Sequence, residues 1–234
     1  MITGKEIARM IDLSCVRADS SLDEIREMAA TAKAHDCICV FALPAHTPML
    51  IDMVSDRDDV LVGGTVGFPD GSATTAGKVA EAIELREMGC NELDMVINIP
   101  WLKAGEYDLV AQDISAVVTA ANGLPVKVIM ECHYLTDEEL IKGCEIAAGC
   151  GVTFVKTGTG WAETGATFEN TALMKKTVGD RCAVKAAGGV RDLDTLLKMV
   201  DIGVTRFGIG VRTAISILNK LETGEVTTPA TEAY

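Results

Sequence analysis

Eight short apolar runs separated by segments of helical periodicity constrain this chain more than any other feature. The runs fall at 9–14, 37–43, 60–68, 92–98, 126–132, 154–159, 182–187 and 205–210. Between the first two, LDEIREMAATAKAHD places Ile25, Met28, Ala29 and Ala32 on one helical face. KVAEAIELREMGC does the same with Val79, Ile83 and Met88, then stops at Gly89, a residue suited to a helix C-terminus. LTDEELIKGCEIAAGCG opens on Thr136 and closes on Gly149 and Gly151, while DLDTLLKMVDIG has Asp192 as its N-cap and ends at Gly203. Strands that alternate with helices build a parallel sheet, because each crossover carries the chain back across it.

At 234 residues, about eight such units predict a single-domain α/β protein, a (β/α)8 TIM barrel. The rival is an open doubly wound sheet. However, no G-x-G-x-x-G turn follows the first run, and no acidic residue stands where a dinucleotide ribose needs one. Periodicity fails after Leu218, so the barrel is expected over 1–218, with a mobile tail over 219–234.

Strands of a parallel barrel are covered on both sides and should be almost wholly apolar. Here Asp94 interrupts ELDMVIN, Lys127 interrupts VKVIMEC, Lys156 interrupts FVKTGTG, and Lys185 interrupts AVKAAGG. A buried ammonium is costly unless it is paired or gives up its proton. For Lys127 and Asp94 a simple ion pair is as good a reading as chemistry. Three lysines against one central aspartate do not balance, although Glu131 on the Lys127 run could add charge. Excess positive charge drives one amine towards its neutral form, which is the nucleophile needed for a Schiff base.

Glycines supply a second signal. Lys156 precedes Thr157-Gly158-Thr159-Gly160, Lys185 precedes Ala186-Ala187-Gly188-Gly189, and the last run ends Gly208-Ile209-Gly210. Three glycine-bearing strand ends, two of them after strands seven and eight, favour an anion site on the catalytic face of a barrel. GVTFVKT has Val155 where a P-loop needs glycine, which excludes that motif.

ELDMVIN, VKVIME with LTDEE, FVKTGTGWAETGAT and VKAAGGVR, in this order, closely resemble the deoxyribose-phosphate aldolase family, from about Ile11 to Leu218. The resemblance implies a class I, metal-free and cofactor-free aldolase that cleaves 2-deoxyribose 5-phosphate to acetaldehyde and glyceraldehyde 3-phosphate. It implies Lys156 as the Schiff-base lysine, Lys185 as the neighbour that lowers its pKa, Asp94 as the proton carrier, and Lys127 as the group that organises Asp94. It also implies a phosphate site along Gly160, Gly188, Gly189 and Gly210. In the turn Gly208-Ile209-Gly210-Val211-Arg212 the serine hydroxyls usual for the family are missing, and Leu43 precedes Pro44 where the family carries asparagine or tyrosine. Arg212 is equally suited to bind an anion and to be a solvated helix residue. Two alternatives stand: a Schiff-base aldolase for another sugar phosphate, and a non-catalytic barrel that binds a sugar phosphate.

The remaining features narrow partners and compartment. A formal net charge of −13 disfavours nucleic acid and anionic membranes, leaving small molecules as ligands. Cys37, Cys39, Cys132 and Cys182 lie in apolar runs without a C-x-x-C pair, and MITGKEIARMID lacks a signal-peptide stretch, so a cytoplasmic protein is expected. His35, His46 and His133 have no metal-ligand spacing. A homodimer is compatible with such a barrel. Tyr234 ends a polar tail and is read as an ordinary terminus, the sharper option being a phenol folded over the barrel mouth.

Overall fold

The computed structural model describes residues 2–223. Its strands are β1 (Ile11–Cys15), β2 (Cys39–Ala42), β3 (Leu61–Val66), β4 (Glu92–Val96), β5 (Val126–Ile129), β6 (Phe154–Lys156), β7 (Ala183–Ala187) and β8 (Arg206–Ile209). All pair in parallel with their sequence neighbours, and β1 also pairs with β8, which closes the barrel. A short α1 (Gly4–Ala8) precedes β1, and α2 (Leu22–His35), α3 (Thr47–Val54) and α4 (Thr75–Met88) follow β1, β2 and β3. Then come α5 (Ile99–Lys103), α6 (Tyr107–Ala121), α7 (Asp137–Gly149), α8 (Phe168–Val178), α9 (Leu193–Ile202) and α10 (Val211–Thr223). No helix among the described residues is long and apolar enough to cross a membrane.

Local chemistry sets the helix ends. Ser21 with Glu24, and Thr136 with Glu139, form reciprocal capping boxes at α2 and α7, each satisfying backbone N–H groups that lack a helical partner. Asp192 caps α9 through the Thr195 N–H, and Gly89 and Gly203 end α4 and α9 in left-handed conformations. The last helix continues through Thr223, past the boundary expected at 218. Residues 224–234, Tyr234 included, lie outside the described residues.

Each strand is shorter than its apolar run, and most of the surplus becomes loop at the C-terminal end. Of the run 154–159 only Phe154–Lys156 is strand, so Thr157 to Thr159 already belong to the loop. Along a strand the outward residues pack beneath helices, as Leu13, Val40, Leu93, Val128, Val155, Val184 and Phe207 do. The intervening residues face the lumen. Gly63 shows how tightly that lumen is filled: a Cβ there would sit 2.1 Å from the Phe41 ring of the adjacent strand. The Phe41 side chain occupies space that only glycine leaves free.

Candidate active site

The lumen charges converge on Asp94. Its Oδ1 accepts from Lys127 Nζ at 2.9 Å, and its Oδ2 accepts from both Lys156 Nζ and Lys185 Nζ at 2.8 Å. Three residues absent from the sequence reading complete the network. Asp12 Oδ2 lies 2.6 Å from Lys185 Nζ, Arg206 Nε donates to Asp12 Oδ1 at 2.6 Å, and Arg206 Nη2 donates to Glu92 Oε2 at 2.6 Å. Lys127 also donates to Glu92. All seven side chains are buried. Three carboxylates therefore face four basic groups, one cation more than balance allows.

Electrostatics select which group gives up its proton most readily. Burial pulls Lys156 down to about 8; Asp94 opposes this, while the charges of Lys185 and Lys127 add to it. Lys127 goes the other way: burial would lower its pKa, but Asp94, Asp12 and Glu92 together hold it above the usual lysine value. Burial alone would raise Asp94, yet the three lysines hold it far below the ordinary carboxylate range. With Lys156 unprotonated, three anions meet three cations.

A cavity of about 270 Å³ opens above this network. Lys156, Lys185, Asp12, Phe41 and Thr65 line its depth, and Gly160, Trp161, Gly188, Gly210 and Arg212 line it further out along the loops. Asp94 and Lys127 are not among the lining residues; they lie behind Lys156 and Lys185, and Asp94 is fully buried. Trp161 fixes the mouth, since its indole N–H donates to Val16 O at 2.9 Å and its ring meets the Phe68 ring edge-on at 5.9 Å. A nucleophilic amine of depressed pKa at the base of a cavity, backed by a carboxylate, is the equipment of amine catalysis on a carbonyl.

Comparison with known proteins decides the family. Residues 9–219 match the model of the DeoC/LacD family aldolases. The chain belongs to that family. It is 43% identical over 219 residues to the deoxyribose-phosphate aldolase of Rhizobium meliloti (strain 1021), covering 94% of this chain and 88% of that one. It is 42% identical over 229 residues to the deoxyribose-phosphate aldolase of Carboxydothermus hydrogenoformans, covering 96% and 99%. Among solved structures, the tetrameric deoxyribose phosphate aldolase from Aeropyrum pernix superposes with a TM-score of 0.85 at 24% identity, covering 95% of this chain and 94% of that chain, a likeness of fold.

One expectation about this aldolase's site changes. Glu131 does not join the lysines. It adopts a left-handed conformation (φ 53°) and accepts from the Thr159 N–H at 3.1 Å and from the Thr159 hydroxyl, folding the loop after β6. Gly158 makes room for it, because a Cβ there would come within 2.7 Å of Glu131 Oε1. Gly189 is not among the cavity-lining residues, unlike Gly160, Gly188 and Gly210; it packs against Ala166 O. His46 and His133 do not line the cavity either.

Asp12, Cys39 and Glu92 bring ligand atoms close together, yet they do not suit a cation. Both carboxylates already hold Arg206, and burial with Glu92 and Asp12 nearby keeps the Cys39 thiol protonated.

Asp12, Glu92 and Arg206 stand at the edge of an apolar run or within it, and run boundaries alone do not single them out. Alternation would have found them. Glu92 precedes Asp94 by two and so shares its face.

Proposed function

We propose that this aldolase cleaves 2-deoxy-D-ribose 5-phosphate to acetaldehyde and D-glyceraldehyde 3-phosphate through a Schiff base on Lys156. The observation that carries the reading is the Lys156 amine, brought down to about 8 and set against Asp94 and Lys185 at the base of the cavity. Lys156 Nζ adds to C1 of the open-chain sugar, and loss of the C1 oxygen as water leaves a protonated imine. Breaking the C2–C3 bond while the C3 hydroxyl gives up its proton releases glyceraldehyde 3-phosphate. The electron pair left at C2 is held as the enamine. Protonation at C2 and addition of water then free acetaldehyde and restore the amine.

Lys185 supplies charge that helps lower Lys156 and stands beside it as a proton donor. Asp94, lying behind both amines, holds them in place and passes protons between them. Lys127 keeps Asp94 ionised. The phosphate would rest on Gly160, Gly188 and Gly210 and the N-terminus of α10, with Arg212 donating to it.

Because the turn Gly210-Val211-Arg212 lacks the serine hydroxyls usual for the family and carries an arginine, a Schiff-base aldolase for a different deoxy or keto sugar phosphate is the second reading. The same proposal includes a cytoplasmic location and self-association as a homodimer, measurable by light scattering. A coupled assay for glyceraldehyde 3-phosphate over a panel of sugar phosphates tests the substrate. Turnover highest on the deoxypentose phosphate supports the reading, and preference for another sugar replaces it with the second.

A further inference from the structure

Among the described residues, Thr65 Oγ1 is the one buried side-chain polar atom with neither a hydrogen-bond nor an ion-pair partner. Thr65 is 2% exposed, yet it lines the cavity together with Lys156, Lys185 and Phe41. Its orientation follows from β3 itself. Gly63 faces the lumen, since its missing Cβ is what admits the Phe41 ring, and the residue two positions on faces the same way. In the β3–β4 register Thr65 stands opposite Asp94, the carboxylate that anchors the reactive amine.

A buried hydroxyl without a protein partner is costly and becomes satisfied when a polar atom arrives. An apolar residue of similar shape, valine, would fill the position without that cost. From this geometry we infer that Thr65 positions the oxygen on the carbonyl carbon attacked by Lys156. This inference rests on the Schiff-base reading and adds a residue to it.

A hydroxyl suits the task because it both donates and accepts. As Lys156 Nζ bonds to the carbonyl carbon, the C=O π pair moves to the oxygen, which takes the proton that the newly cationic nitrogen gives up and becomes the carbinolamine hydroxyl, leaving the nitrogen with its lone pair. The nitrogen lone pair then expels that hydroxyl, which takes a second proton from the neighbouring ammonium of Lys185 and leaves as water. Thr65 donates to the oxygen while it carries charge and accepts from it once it is protonated. The same contact serves in reverse when water attacks the imine.

The test compares Thr65→Val, nearly isosteric, with Thr65→Ser, which keeps the hydroxyl, and Thr65→Ala as a smaller variant should valine pack badly. Turnover, KM, melting temperature and loss of ¹⁸O from labelled acetaldehyde are measured for each. Expected for Thr65→Val is a fall in kcat on the order of tenfold, with ¹⁸O loss slowed in parallel and KM changed far less. Its melting temperature should equal or exceed that of the wild type, because the unpartnered hydroxyl is gone. Thr65→Ser should retain most of the turnover.

Wild-type turnover in both the valine and alanine variants overturns the inference, as do equal losses with valine and serine. A lower melting temperature with an unchanged ¹⁸O rate assigns Thr65 a structural role and also overturns it. Borohydride trapping of acetaldehyde on wild-type Lys156 separates the two levels: without an adduct the Schiff-base reading itself fails.

Discussion

Lys156 and Lys185 donate to the same atom, Asp94 Oδ2, each from 2.8 Å. Two ammonium groups held that close repel one another, and the repulsion falls on the amine with fewer compensating anions. Lys185 has Asp12 as a second ion-pair partner, whereas among the described residues Lys156 makes its ion pair with Asp94 alone. The shared oxygen thus couples the charge on one lysine to the reactivity of the other.

Activity should follow that coupling with pH. Since the neutral amine is the nucleophile and its pKa is about 8, kcat/KM should rise as pH increases through about 8. Lys185→Met removes a charge that lowers Lys156, so its profile should move to higher pH and its rate at neutral pH should fall; Lys185→Arg should move it less. Stability carries the same sign. The folded-state value lies below the 10.5 of a free lysine, so between about 8 and 10.5 the unfolded chain binds more protons. The unfolding free energy of wild type relative to Lys156→Met should therefore increase with pH across that window, as urea titrations at several pH values would show.

Asp94→Asn removes the carboxylate shared by three buried lysines. Breaking a buried network on one side leaves uncompensated charge, at a cost of about 3–5 kcal/mol. Urea unfolding should show a loss of that order, and turnover should fall along with it.

Gly63→Ala places a methyl group 2.1 Å from the Phe41 ring. The backbone there is ordinary strand, so the effect is one of packing: a loss of about 1–3 kcal/mol by thermal or urea unfolding. Adding Phe41→Leu to the same chain should recover much of the loss, which marks the pair as coupled.

Arg212→Ala tests the anion site at the far end of the cavity. Losing one charged donor should raise KM for a phosphorylated sugar roughly tenfold or more, with little effect on acetaldehyde, which carries no phosphate. Equal effects on both compounds would place Arg212 outside the anion site.

The barrel was legible because its strands alternate with amphipathic helices whose ends carry strong local signals, such as Asp192, Gly89 and Gly203. Lys127, Lys156, Lys185 and Asp94 were legible because charge inside an apolar run has no cheap structural excuse. Asp12 and Arg206 interrupt their runs in the same way, but their partners show only once closure of the barrel brings β1, β4 and β8 to one point. Glu131 was misplaced for a related reason. It lies just past β5, where the chain turns left-handed, so strand alternation no longer predicts its direction. Phe41 and Thr65 carry no charge to draw attention, and their place in the cavity follows from register and from the glycine at 63.

Reduction with borohydride in the presence of acetaldehyde, followed by peptide mapping, tests the central claim most directly. The account predicts an ethyl group on the peptide bearing Lys156, absent from Lys156→Ala and formed more readily as pH rises through about 8. An adduct on Lys185 instead, or no adduct with any aldehyde or ketone tried, would contradict it.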